Sequence, residues 1–67
     1  MLSTAEYELL KIYISDNHQM TIDNLIFALR YFKDSNYEHI INKLYKKISR
    51  MTIDEYEEIV KKIFEKT

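Results

Sequence analysis

Apolar residues along this chain recur with the period of an α-helix. Between residues 37 and 48 they fall at Tyr37, Ile40, Ile41, Leu44, Tyr45 and Ile48, a spacing of i, i+3, i+4, i+7, i+8, i+11. That rhythm returns side chains to one side of a 3.6-residue helix and predicts a single buried stripe. Ile53, Tyr56, Ile59, Val60, Ile63 and Phe64 repeat nearly the same pattern. Toward the N-terminus, Leu9, Leu10, Ile12, Tyr13 and Ile14 form a broader apolar sector. The second apolar stretch differs: Leu25, Ile26, Phe27, Ala28, Leu29, Tyr31 and Phe32 cover almost every side of a helix. Such a helix is either buried all round or lends part of its surface to a partner. The pattern predicts an all-α fold, a small bundle of three to four short helices near residues 4–15, 22–33, 36–49 and 53–66, packed around the second.

Polar residues mark where those helices begin. A Ser or Thr at an N-cap accepts a hydrogen bond from an otherwise unpaired backbone N–H, and a Glu three residues on reciprocates. Ser3 with Glu6, Ser35 with Glu38, and Thr52 with Asp54 and Glu55 fit this pattern; Thr21 with Asp23 is a looser version. Connectors are expected at Asp16–Gln19, Lys33-Asp34 and Ser49-Arg50, with Asn17 taking any left-handed position after the first helix. Met20-Thr21-Ile22-Asp23 recurs as Met51-Thr52-Ile53-Asp54, 31 positions later, which suggests two related helical hairpins or one reused helix start. In the fourth helix, acidic Asp54, Glu55, Glu57 and Glu58 precede basic Lys61, Lys62 and Lys66. That order complements the helix dipole and aligns Glu57 with Lys61 and Glu58 with Lys62.

Composition narrows the functional classes. The chain has 67 residues and contains no Gly, no Pro and no Cys. Without glycine, the phosphate-cradling loops that require close backbone approach are excluded. Without cysteine there is neither a disulfide nor a thiolate metal site, which fits a cytoplasmic compartment. A net charge of −1 gives no overall field toward nucleic acid or an anionic membrane. The longest apolar run, Leu25–Leu29, is far short of the roughly 20 residues of a membrane span. Met1-Leu2-Ser3 leads into an acidic helix start, unlike a signal peptide.

No catalytic constellation stands out. His18 lies in a connector and reads as a surface histidine, and His39 lies in the third helix; they are too far apart in sequence for a zinc motif. Neither a catalytic group, a cofactor, a metal nor a small-molecule substrate is expected. The opening Ser3-Thr4-Ala5-Glu6-Tyr7 with Leu9-Leu10 resembles, in outline only, the first helix of the colicin immunity proteins. Those proteins are larger, and their paired tyrosines before a proline have no counterpart in a chain without proline.

Two binding classes remain. Six Tyr and three Phe exceed what a minimal core needs, and Tyr is favoured at interfaces for its large area and few rotatable bonds. The leading expectation is a non-enzymatic protein–protein interaction module, a regulator or inhibitor of phage, plasmid or bacterial type. Its partner would be another protein or a second copy, and Tyr7, Tyr13, Phe27 and Tyr31 are the interface candidates. The alternative is a helix-turn-helix-like DNA-binding regulator. Lys43, Lys46, Lys47 and Arg50 form one basic stripe, and Asn36, His39 and Asn42 join Lys43 as base-facing candidates. Against it stand Asp34 and Glu38 at the start of the supposed reading helix.

Overall fold

The computed structural model describes residues 2–65 and is all-helical there, with four helices and no strand among the described residues. These are α1 (Thr4–Tyr13), α2 (His18–Tyr31), α3 (Glu38–Arg50) and α4 (Ile53–Glu65). Lys66, assigned above to the last turn of the fourth helix, lies outside the described residues. None of the helices is long and apolar enough to cross a membrane. The molecule measures 33 × 21 × 19 Å.

Each of the four helices contributes to one apolar core. Leu2 and Leu10, Leu25 of α2, Leu44 and Ile48 of α3, and Tyr56 and Ile63 of α4 are its buried members. The α3 stripe is realised as Ile41, Leu44 and Ile48, all fully buried at i, i+3, i+7. Full burial of each such aliphatic side chain contributes roughly 1.5–3 kcal/mol. α3 lies close against both α1 and α2, so the packing centres on α3 as much as on the second helix, contrary to the expectation from hydropathy.

Two predicted helix starts form as capping boxes. Ser3 Oγ accepts from Glu6 N–H at 3.2 Å, and Glu6 Oε1 accepts from Ser3 N–H at 2.7 Å. Thr52 and Glu55 do the same at 3.1 and 2.9 Å, and the Thr52 N–H holds the Glu55 carboxyl below its usual range. The other two starts are elsewhere. α2 begins at His18, capped by Asn17, whose side chain accepts from Met20 N–H at 3.1 Å. Asn17 is therefore an extended N-cap, and the left-handed position falls on Asp34, at φ 64°. Ser35 does not cap α3; its hydroxyl donates to the Phe32 carbonyl at 2.6 Å and accepts from Tyr37 N–H. Asp is among the few residues that reach left-handed backbone at modest cost through a short polar side chain.

Thr21 explains why α2 starts early. Thr21 is a fully buried interior residue whose hydroxyl accepts from Ser15 N–H at 2.8 Å and bonds the Tyr56 hydroxyl. Tyr56, 1% exposed, also donates to the Ser15 carbonyl. Burial pushes the Tyr56 phenol up, and the nearby Asp16 charge pushes it the same way, so it is a neutral donor. His18 stacks on the Tyr56 ring at 4.6 Å, and its Nε2–H donates to the Ile48 carbonyl at 2.7 Å. The histidine read from the sequence as a surface loop residue is thus half-buried and ties α2 to the end of α3. The two copies of the repeated tetrapeptide consequently do different work: Thr52 caps α4, whereas Thr21 anchors it.

Tyr56→Phe removes only the hydroxyl and leaves the Ser15 carbonyl and Thr21 short of a partner. It should destabilise the protein by about 1–3 kcal/mol in urea unfolding followed by circular dichroism. Adding Thr21→Val should cost clearly less than its effect in the wild type, because the two hydroxyls belong to one network. Strict additivity would mean that they act separately.

Candidate functional site

The surface with the most unusual chemistry is the outward side of α2. Thr21, Leu25 and Ala28 recur at i, i+4, i+7 and turn inward. Phe27 and Tyr31 must then point away, and they are 75% and 79% exposed. Ile22, Ile26 and Leu29 lie between these extremes. The all-round apolar helix is therefore covered on one side only. A four-helix chain of this length has too few neighbours to enclose it.

A groove of about 330 Å³ runs beside these rings, lined by Tyr13, Asn24, Phe27, Ala28, Tyr31 and Phe32. It exists because Ala28, small and buried, separates two large aromatic neighbours along the helix. Asn24 Nδ2 donates to the Tyr13 carbonyl at 2.9 Å and fastens the end of α1 along one wall. At the other end Tyr31, Phe32 and Tyr37 form an edge-to-face chain with centroids 4.9 and 5.6 Å apart. The Ser35 hydrogen bonds to Phe32 and Tyr37 bend the connector so that the Tyr37 ring meets that of Phe32. Edge-to-face aromatic pairs add roughly 0.5–1.5 kcal/mol beyond area burial and keep the rings ordered.

Of the four interface candidates, Tyr13, Phe27 and Tyr31 share this groove. Tyr7 does not; it lines a separate depression between α1 and α4 with Thr4, Glu8, Lys11, Lys62 and Ile63. Phe32, Tyr37, Asn24 and Ala28 complete the groove or its margin without having been singled out. The signal for the first two was present as three aromatics at the two ends of one connector, Tyr31-Phe32 and Tyr37.

The basic stripe is divided. Lys43, Lys46 and Arg50 are exposed, as are Asn36 and His39, while Asn42 is half-buried. Lys47 turns inward and its Nζ donates to Glu6 Oε1 at 2.8 Å. Glu6 itself is almost completely buried and also holds the Ser3 N–H. Burial alone would raise the Glu6 pKa, but the Lys47 and Ser3 hydrogen bonds and the Lys47 charge outweigh it and hold the carboxyl below its ordinary 4.5. The pairs Glu57–Lys61 and Glu58–Lys62 do not close to ion-pair distance; among the described residues Lys11–Glu8, at 3.3 Å, is the other ion pair.

The class these features define is a small all-α protein carrying an ordered, solvent-facing aromatic groove. No family model, no curated protein and no solved structure matches the chain. Among the described residues, no group of three or more His, Asp or Glu is placed to hold a metal ion.

Glu6 carries a pH dependence whose sign follows from its lowered pKa. Its contribution is complete above the carboxyl's ordinary 4.5 and is lost as pH falls through the still lower folded-state value. Glu6→Gln should therefore cost about 1 kcal/mol at neutral pH, a modest figure because Lys47 is partly exposed. The deficit should vanish in strong acid, as read from urea midpoints at a series of pH values. A deficit independent of pH would assign the loss to packing.

Proposed function

We propose that this protein is a small non-enzymatic protein–protein interaction module, a regulator or inhibitor that acts by docking the aromatic side of α2 against a partner. The observation that carries this reading is the exposure of Phe27 and Tyr31 beside a groove whose other walls are ordered by hydrogen bonds and ring contacts. Large aromatics left in water on a rigid helix raise the solvation cost of the free protein, and association removes it. Interface anchors are typically such rings, seated where water is excluded. The lining is predominantly apolar, with the Tyr31 hydroxyl available to orient what binds.

The DNA-binding alternative draws on Lys43, Lys46 and Arg50. Its support is weaker because Lys47 is engaged by Glu6 and Glu38 opens α3. The connector between α2 and α3 is also six residues long, 32–37, against the 3–4 usual in a helix-turn-helix.

The test compares wild type with Phe27→Ser/Tyr31→Ser. Both positions are exposed, so the double variant should keep its helical spectrum and cooperative melting. Immobilised wild type should retain a protein from lysate of its source cells that the double variant does not, and random duplex DNA should leave the wild-type molar mass unchanged at low salt. Equal retention by both proteins would remove the aromatic side from the function. A mass that rises with DNA and falls back at high salt would put the lysines of α3 in its place.

A further inference from the structure

We infer that the aromatic side of α2 is self-complementary and receives α2 of a second copy, running antiparallel and crossing at Phe27. This names the partner of the surface proposed above and rests on that reading.

The exposed residues along the outward stripe of α2 follow in the order Met20, Asp23, Phe27, Arg30 and Tyr31. The two charges lie on either side of Phe27, the negative one four residues before it and the positive one three residues after. At 1.5 Å per residue these offsets are about 6 and 4.5 Å along the helix. A two-fold axis through Phe27 places residue 23 of one copy opposite residues 30 and 31 of the other. Asp23 then meets the partner copy's Arg30 guanidinium and Tyr31 hydroxyl, and the same contact is made twice, as a two-fold interface requires. The parallel arrangement would set Asp23 against Asp23 and Arg30 against Arg30, so the charge pattern selects the antiparallel one. Neither charge is already engaged by the other sign: Asp23 accepts only a neutral hydrogen bond from Gln19 Nε2, at 3.0 Å, and Arg30 makes no ion pair among the described residues.

Shape agrees with charge. The groove floor, Ala28, is the next residue to Phe27, so a copy rotated about that axis lays its Phe27 ring toward the partner's groove between Tyr13 and Tyr31. Each ring is thus a knob and each groove a hole. A contact built on one helix and its groove is smaller than the roughly 800 Å² per partner of a standard interface, so the dimer is reversible and concentration-dependent.

Light scattering over a range of concentrations should show the mass doubling. Arg30→Glu and Asp23→Lys each put like charges across the axis and should weaken the dimer by about tenfold or more, while the combined Asp23→Lys/Arg30→Glu exchange should restore it. Each variant should keep a cooperative melting curve, which shows that it is folded. Orientation is read separately, because the chain has no cysteine of its own. Under mild oxidation Phe27→Cys should crosslink to itself. Met20→Cys should not, since the antiparallel crossing separates the two copies of that position by about 20 Å. A wild type that stays monomeric at every concentration overturns self-pairing, as does a dimer indifferent to both charge reversals or crosslinked through Met20→Cys. Those results leave the docking surface to be judged by the retention experiment alone.

Discussion

The arrangement of the helices turns on a single buried contact, the meeting of Tyr56, Thr21 and Ser15. Tyr56 comes from α4, Thr21 from α2 and Ser15 from the connector after α1, so one cluster of hydroxyl and backbone groups joins three segments. Buried polar groups of this kind have geometric demands that apolar contacts lack, because each must find a partner of the right kind at the right angle. Once Thr21 is committed inward, the roll of α2 is set. Leu25 and Ala28 follow it into the interior, and Phe27 and Tyr31 are carried to the outside with no further choice. The same contact that closes the core thus determines which side of α2 faces water.

A second polar tie joins α1 to α3. Glu6 caps α1 with one carboxylate and receives Lys47 from α3 with the same oxygen. A lysine that would otherwise add to the positive side of α3 is thereby spent on internal structure. The exposed charges that remain on α3 are fewer than its sequence suggests, while the exposed rings on α2 are more numerous than its hydropathy suggests. The exposed surface is thus less basic on α3 and more aromatic on α2 than the pattern of residues alone implies.

The regular parts of the fold were legible because they rest on local rules. The stripes of α3 and α4 and the boxes at Ser3 and Thr52 depend on residues within a turn or two of each other. What was not legible depends on contacts between residues far apart in the chain. Nothing near Thr21 shows that its hydroxyl is claimed 35 positions away, so it reads as a cap. His18 and Lys47 look like surface residues for the same reason, their partners being 30 and 41 positions distant. Among the interface candidates, Tyr13, Phe27 and Tyr31 are offered by the sequence through their chemical type alone. Their assembly into one groove, and the separation of Tyr7 from it, depends on how α1 crosses α2.

The connectors have a consequence for how this chain tolerates change. In most proteins a reversal of direction is delegated to glycine or proline, and polar residues around it vary freely. Here the reversals are built from side-chain oxygens: Ser15 and Asn17 before α2, Ser35 before α3, Thr52 before α4. Exposed serines and threonines, ordinarily the most replaceable positions in a domain, become the joints of the framework. For folding, substitutional freedom should therefore be greatest on the solvent sides of the helices and least in the loops, the reverse of the usual distribution.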